Sequence, residues 1–352
     1  MKRIYISIFI FASCFSIKAQ NQSNDTENYW NYHDLICKAE IAFYLNGNID
    51  SCLYYYAQAF DGFSFNYVHD LVNAAQIAFY NQKDFKGYIY KGLEFGLKSS
   101  HLKQIRLFAN SDIIQELENY EKTPEYLIIR EKYLASVNLD YLNWIYDFGI
   151  EEQLEKGKVD YDAYSLNFIN ELKLKIKQFG FPSNRTIGIN CSTIFAEAKR
   201  DELDLAKRVK SVPAVSYYKT DDQLLSNHFV MPPLHHRRCS YTELKEIMLE
   251  EIAKGNFHPR EFGLLYDRQC ECEITNYNPV FENCPNLIKE NGVFRIGNVF
   301  LKEVIGKIEC SDEQVNSLRR KYHIAPIEVD RAKERYERQY GFKLFWGFWD
   351  CL

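Results

Sequence analysis

Four groups of residues in the second half of this 352-residue chain have side chains suited to chemistry: His228, His235 and His236; Asp267 with Arg268; Arg319 with Arg320; and the cysteines Cys239, Cys270, Cys272, Cys284 and Cys310. Imidazoles with a carboxylate can hold Zn²⁺ and leave one position open for a water whose pKa the ion lowers. His228, His235 and His236 are therefore the candidate metal ligands and Zn²⁺ the candidate ion, although no H-E-x-x-H or comparable spacing is present. Adjacent side chains on a helix point about 100° apart, which works against His235 and His236 sharing one ion. Without a metal, His236 would act as a base oriented by Asp267, and Arg268 and Arg319 would grip a phosphate or carboxylate. Ordinary packing is the competing account: an Asp-Arg step at a helix end forms buried ion pairs, and paired histidines bond locally. No organic cofactor is predicted. The chain has no glycine-rich phosphate loop, no Ser-His-Asp ordering and no G-x-S-x-G elbow.

The first twenty residues bear on where any such site would work. Lys2 and Arg3 precede a charge-free apolar stretch from Ile4 to Ile17, and Ser16 to Gln20 breaks it with small and polar residues. That order is expected of a cleavable signal peptide, and the stretch falls short of the roughly 18–20 residues a spanning helix needs. An alternative is lipid attachment at Cys14, after Phe11-Ala12-Ser13. Cleavage after Gln20 removes three cations and no acid, moving the net charge from -5 to -8. A mildly acidic chain without a basic block excludes nucleic acid as the main partner. No later segment is apolar enough to span a membrane, so the expected location is the periplasm or envelope of a Gram-negative bacterium. Of ten cysteines, nine would remain after cleavage, and an oxidising compartment favours their pairing. Cys270 and Cys272 are too close to pair with each other, so Cys239, Cys284 and Cys310 are their candidate partners.

The elements that must position these residues are helical. Residues 21–27 form a polar, disordered leader. Leu35, Ala39, Ala42 and Phe43 share one helical face, Asn46-Gly47-Asn48 makes a turn, and Ile49 to Phe60 forms a second helix. Leu71 to Tyr80 and Phe85 to Leu97 repeat the pattern around Asn81 to Asp84. Gly47, Ile49, Cys52, Tyr56 and Ala59 occupy the turn, aliphatic, small, aromatic and alanine positions of the tetratricopeptide repeat, which the hairpins resemble. Their turns lie 36 residues apart, near that repeat's period of about 34. The resemblance implies helical hairpins over 28–136 that bind a protein or peptide. Asp112 to Tyr120 is a short helix, and Thr123-Pro124-Glu125 starts another.

From about 137 to 352 a second, helical domain is expected. Asp162 to Phe179 is amphipathic and ends at Gly180, and Ile187 to Val209 reads as helix. Capping boxes at Ser240 to Glu243 and Ser311 to Gln314 open two more helices. His258-Pro259 starts another, and Glu328 to Tyr340 is the last. Gln269 to Arg295 is irregular and cysteine-rich, with a small β-hairpin around Gly297-Asn298. The apolar Trp346 to Trp349 tail would dock on the core. Gly180-Phe181-Pro182, His235-His236, Leu264 to Arg268 and Arg319-Arg320 followed by Ile324-Ala325-Pro326 stand in the order kept by an uncharacterised bacterial domain family. That family has G-(W/F)-P, Q-H, L-x-D-R and late R-R motifs, and this chain resembles it over about 140–330. It departs at His235, where the family keeps glutamine. The fold class expected is mainly α. The expected function is an exported interaction module, the alternative a hydrolase built on His236, Asp267, Arg268 and Arg319.

Overall fold

Asparagines start the first hairpin. In a computed structural model that describes residues 27–156, 158–203, 225, 230–237, 239–274, 290, 293, 296–297 and 311–345, Asn28 accepts from the Trp30 amide at 3.1 Å. Asn48 accepts from the Ser51 amide at 2.9 Å, satisfying amides that have no partner inside the helix. These caps open α1 (Tyr29–Tyr44) and α2 (Ile49–Gly62). Ala39, Cys52 and Ala59 are fully buried between them, as their small size predicts. α3 (Val68–Tyr80) and α4 (Lys86–Glu94) form the second hairpin. α5 (Ser99–Lys103), α6 (Asp112–Tyr120) and α7 (Pro124–Ser136) follow, the last capped by Thr123 as its sequence predicts.

The C-terminal part is also helical. It comprises α8 (Leu139–Glu155), α9 (Tyr161–Phe179), α10 (Asn184–Ile187), α11 (Ile194–Glu197), α12 (Met231–His236), α13 (Ser240–Ala253), α14 (Pro259–Ile274), α15 (Asp312–Lys321) and α16 (Ile327–Tyr340). Among the described residues there is no strand, only a single antiparallel bridge between Glu290 and Val293. The fold is mainly α, and no helix of the described residues is long and apolar enough to cross a membrane. The expected signal peptide, Cys14, most of the leader and the Trp346 to Trp349 tail lie outside the described residues, as does most of the hairpin expected around Gly297-Asn298.

Gln269 to Ile274, expected to be irregular, continue α14 instead, and two further local expectations fail for identifiable reasons. The helix predicted from Ile187 to Val209 ends at once, because Gly188 turns the chain with φ of 76°. A β-carbon there would stand 2.4 Å from the Tyr133 hydroxyl, which donates nothing to it but accepts from the Ile189 amide at 3.1 Å. The stretch resumes only as α11 and a short 3₁₀ turn at Asp201–Leu203. The capping box at Ser240 does not form either. Its acid, Glu243, is held by the Arg237 guanidinium at 2.8 and 2.6 Å, and Ser240 lies inside the helix it was expected to cap. The box at Ser311 and Gln314 does form, with reciprocal bonds of 3.2 and 3.0 Å.

The end of the chain returns to its beginning. Val329 and Ala332 of α16 and the extended residues Phe342 and Leu344 share one core with α1, α2 and α3. Gln76 fixes that return through its amide, bonding both the amide and the carbonyl of Lys343 at 2.7 Å. A second core joins α3 to α7. The largest joins α7 to the helices of the C-terminal part, with Tyr133 among its residues. The N-terminal hairpins thus bury their apolar faces against the chain's own C-terminal helix, as two hairpins too few for a free solenoid must.

Candidate acid-base site

Neighbouring residues on a helix point in different directions, and this divides the site predicted from sequence. Asp267 faces the backbone at 296–297, accepting from the Gly297 amide at 3.1 and 3.0 Å and also from the Ile296 amide. Gly297 there lies against Gly263, where a β-carbon would come within 2.4 Å of main-chain atoms. Arg268 instead points to α12, its Nε donating to the His235 carbonyl at 3.0 Å. Arg319 binds Asp330. His236 has both nitrogens engaged, Nδ1 with Glu152 and Nε2 with Lys156, each at 2.8 Å. The predicted grouping of His236, Asp267, Arg268 and Arg319 is therefore corrected: Arg268 stays near the histidine pair, while Asp267 and Arg319 serve other contacts. His236 offers no free nitrogen to a metal shared with His235, and His228 lies outside the described residues. Cys239 is buried. Cys284, Cys310 and the side chains of Cys270 and Cys272 are not among the described parts, and the free thiols that are described are Cys37, Cys52 and Cys191.

A different cluster forms where the hairpins meet the C-terminal helices. α1 supplies His33, the start of α3 supplies His69 and Asp70, and the start of α14 supplies His258, Arg260 and Glu261. The His258 ring stands 5.0 Å from that of His33 and 4.8 Å from that of His69, both edge-on. They line a cavity of about 70 Å³. A water needs about 10–15 Å³ on this measure, so there is room for a few waters or one small polar group. A wider depression of about 370 Å³ shares Cys37, His323 and Ile324 with it and includes Arg320 and Asp34.

The hydrogen bonds around these rings assign their protons. His258 caps α14, its Nδ1 accepting from the Arg260 amide at 3.1 Å. A neutral ring that accepts at Nδ1 carries its proton on Nε2. That Nε2 is buried and has no partner among the described residues. His69 has the opposite arrangement. Its Nε2 lies 3.3 Å from Asp70 Oδ1, while its buried Nδ1 has no partner among the described residues. With Asp70 ionised, the proton belongs on Nε2 and a lone pair is left on Nδ1. Asp70 is also held by the Tyr32 hydroxyl, which donates to Oδ2 at 2.9 Å. His33 adds a third buried nitrogen, Nε2, without a partner among the described residues.

Burial sets the charge state. It pushes His33 and His258 well below the usual imidazole range, and His69 down to about 3 with help from Lys333. All three are neutral at neutral pH. Burial pushes Asp70 up to about 7, against the Tyr32 bond and the Lys333 charge. It also pushes Glu261, which its own helix start only partly relieves, up to about 7. Two carboxyls raised towards neutrality by burial beside neutral imidazoles make the cluster a candidate for acid-base chemistry.

Beneath the site lies a network of buried ions. Asp330 is fully buried; it takes Arg260 bidentately at 2.9 and 3.2 Å, and its Oδ2 also accepts from Arg319 Nη2. Burial would raise this carboxyl, but Arg260, Arg319 and Lys333 outweigh it and hold it well below the usual range. Lys333, one turn further along α16, pairs with the buried Glu40 of α1. Arg319 Nε and Nη1 have no partner among the described residues.

Comparison with family models, with curated proteins and with solved structures finds no match to the chain.

Proposed function

We propose that the protein is a hydrolase that works by general acid-base catalysis in the cavity between His33, His69 and His258. One observation carries this reading. Two edge-on imidazoles line the same cavity and leave complementary nitrogens without a partner among the described residues, a lone pair on His69 Nδ1 and an N–H on His258 Nε2. Water attacking a carbonyl or phosphoryl centre gives its proton to His69 Nδ1, while His258 donates to the oxygen that gains charge. The imidazolium of His69 then returns that proton to the leaving group. An ionised Asp70 beside Nε2 stabilises the imidazolium as it forms, opposing the burial that disfavours it. The cavity accepts only the reacting end of a substrate, and the depression beside His323 takes the rest.

A metal ion is the second reading, favoured because ligand atoms of His69, Asp70 and His258 lie within 4.8 Å of one another. It asks His258 for a lone pair that the ring does not offer. In metal sites the second ring nitrogen normally donates its proton to an acceptor, whereas His258 Nδ1 accepts from an amide. The interaction-module reading finds less support, since α16 and residues 342–344 cover the hairpin face on which a peptide would lie. Export rests on the charged and apolar order of the first twenty residues and is proposed with the rest.

Hydrolysis of p-nitrophenyl acetate and p-nitrophenyl phosphate across pH 5 to 9 tests the assignment. Asp70 is protonated below about 7, and a protonated Asp70 no longer holds His69 with Nδ1 unprotonated. Turnover is therefore expected to rise with pH through about 7, to lose that rise in Asp70→Asn, and to be unchanged by EDTA. Loss of turnover in EDTA, restored by Zn²⁺, would establish the metal reading instead.

A further inference from the structure

A second group of polar residues lies at the end of α8, apart from the cavity. Glu152 is buried and accepts from the Tyr161 hydroxyl at 2.5 Å and from His236 Nδ1 at 2.8 Å. That carboxylate fixes the proton of His236 on Nδ1 and leaves the lone pair on Nε2. Lys156 Nζ stands 2.8 Å from that Nε2. The order carboxylate, imidazole, amine matches the logic by which a base activates a nucleophile. The lysine itself is exposed, so a solute can reach it, while the imidazole behind it is mostly shielded.

We infer that Lys156 is an activated amine that forms imines with small aldehydes carrying an anionic group. Lys156 gives one proton to His236 Nε2, and its nitrogen then attacks the aldehyde carbon to form a carbinolamine. The C–O bond breaks as His236 returns a proton to the departing oxygen, so that water leaves and a C=N bond remains. No oxidant or reductant is consumed. An anionic aldehyde is specified because Arg268 adds positive charge to the surroundings of Lys156 and His235. Of the charges around the amine, loss of hydration and Arg268 push its pKa down, and Glu152 opposes them. Reactive lysines of this kind are those whose ammonium form is disfavoured by burial or by neighbouring cations.

The test uses glyoxylate with cyanoborohydride at pH 7, with the sites of reductive trapping mapped by mass spectrometry on the full-length chain. Lys158, two residues away and paired with Glu155 at 2.8 Å, is the internal reference. Lys156 is expected to be trapped about 10²-fold faster than Lys158, the lower end of what a positioned proton acceptor contributes. In His236→Gln that ratio should fall at least about tenfold, because desolvation and Arg268 still act on Lys156 but the positioned proton acceptor is gone. Equal trapping of both in the unmodified protein would overturn the proposal, and so would a preference for Lys156 that is undiminished in His236→Gln.

Discussion

His69→Gln is expected to lower turnover on any substrate of the cavity by about 10²- to 10⁴-fold, the range typical of removing a general base. Glutamine keeps the approximate length and polarity of the side chain but has no nitrogen that can take a proton. KM should change little, because the substrate's body lies outside the ring's reach, so the loss falls on kcat. Circular dichroism and urea unfolding near those of the unmodified protein would locate the effect in the chemistry. His69 is buried at the start of α3 and bonded to no other part of the chain except Asp70 among the contacts described, so its replacement should leave the fold in place. A variant with undiminished kcat would remove His69 from the mechanism.

Asp330→Ala has the largest expected effect on stability. Asp330 is buried between two guanidiniums, and removing it leaves the positive charges of Arg260 and Arg319 in a low-dielectric interior. Breaking a buried pair in this way costs about 3–5 kcal/mol. The sign with pH follows from the depressed carboxyl. Its contribution is present above the unfolded value and is lost as pH falls below about 4 towards the folded value. The unmodified protein should therefore lose stability in that range, and Asp330→Ala should lack this part of the loss. Urea midpoints for Asp330→Ala, Arg319→Met and the double variant separate the pair from its parts. The double variant should recover part of the loss, because it buries no unpaired Arg319. Damage should also reach the acid-base site, since Arg260 supplies the amide that caps onto His258.

Much of the helical frame is legible in the residues. Thr123-Pro124, the Ser311 box and His258-Pro259 mark helix starts that the structure uses, and Ala39, Cys52 and Ala59 mark a close helix pair. The failures come from side-chain contacts that no local helix signal encodes. Gly188 turns because Tyr133 comes against it, and Glu243 leaves its box because Arg237 claims it. The acid-base site was hidden for the same reason. His33, His69 and His258 stand far apart in the sequence with no motif spacing, and only the approach of the start of α14 to α1 and α3 brings them together. The histidine-rich stretch at 228–236 attracted notice because its residues are adjacent. Adjacency on a helix disperses side chains, and Asp267 and Arg268 part for that reason. One signal was available: His69-Asp70 at the head of a helix and Asp330 with Lys333 one turn apart are charges on faces that otherwise read as core.

The proton positions on His69 and His258 are the centre of the proposed mechanism, and long-range ¹H–¹⁵N correlation of the imidazole nitrogens measures them directly. At pH 8, with the two rings assigned through His69→Gln and His258→Gln, both should be neutral with the proton on Nε2. A proton on Nδ1 of His258, or a cationic ring at either position, would contradict the account.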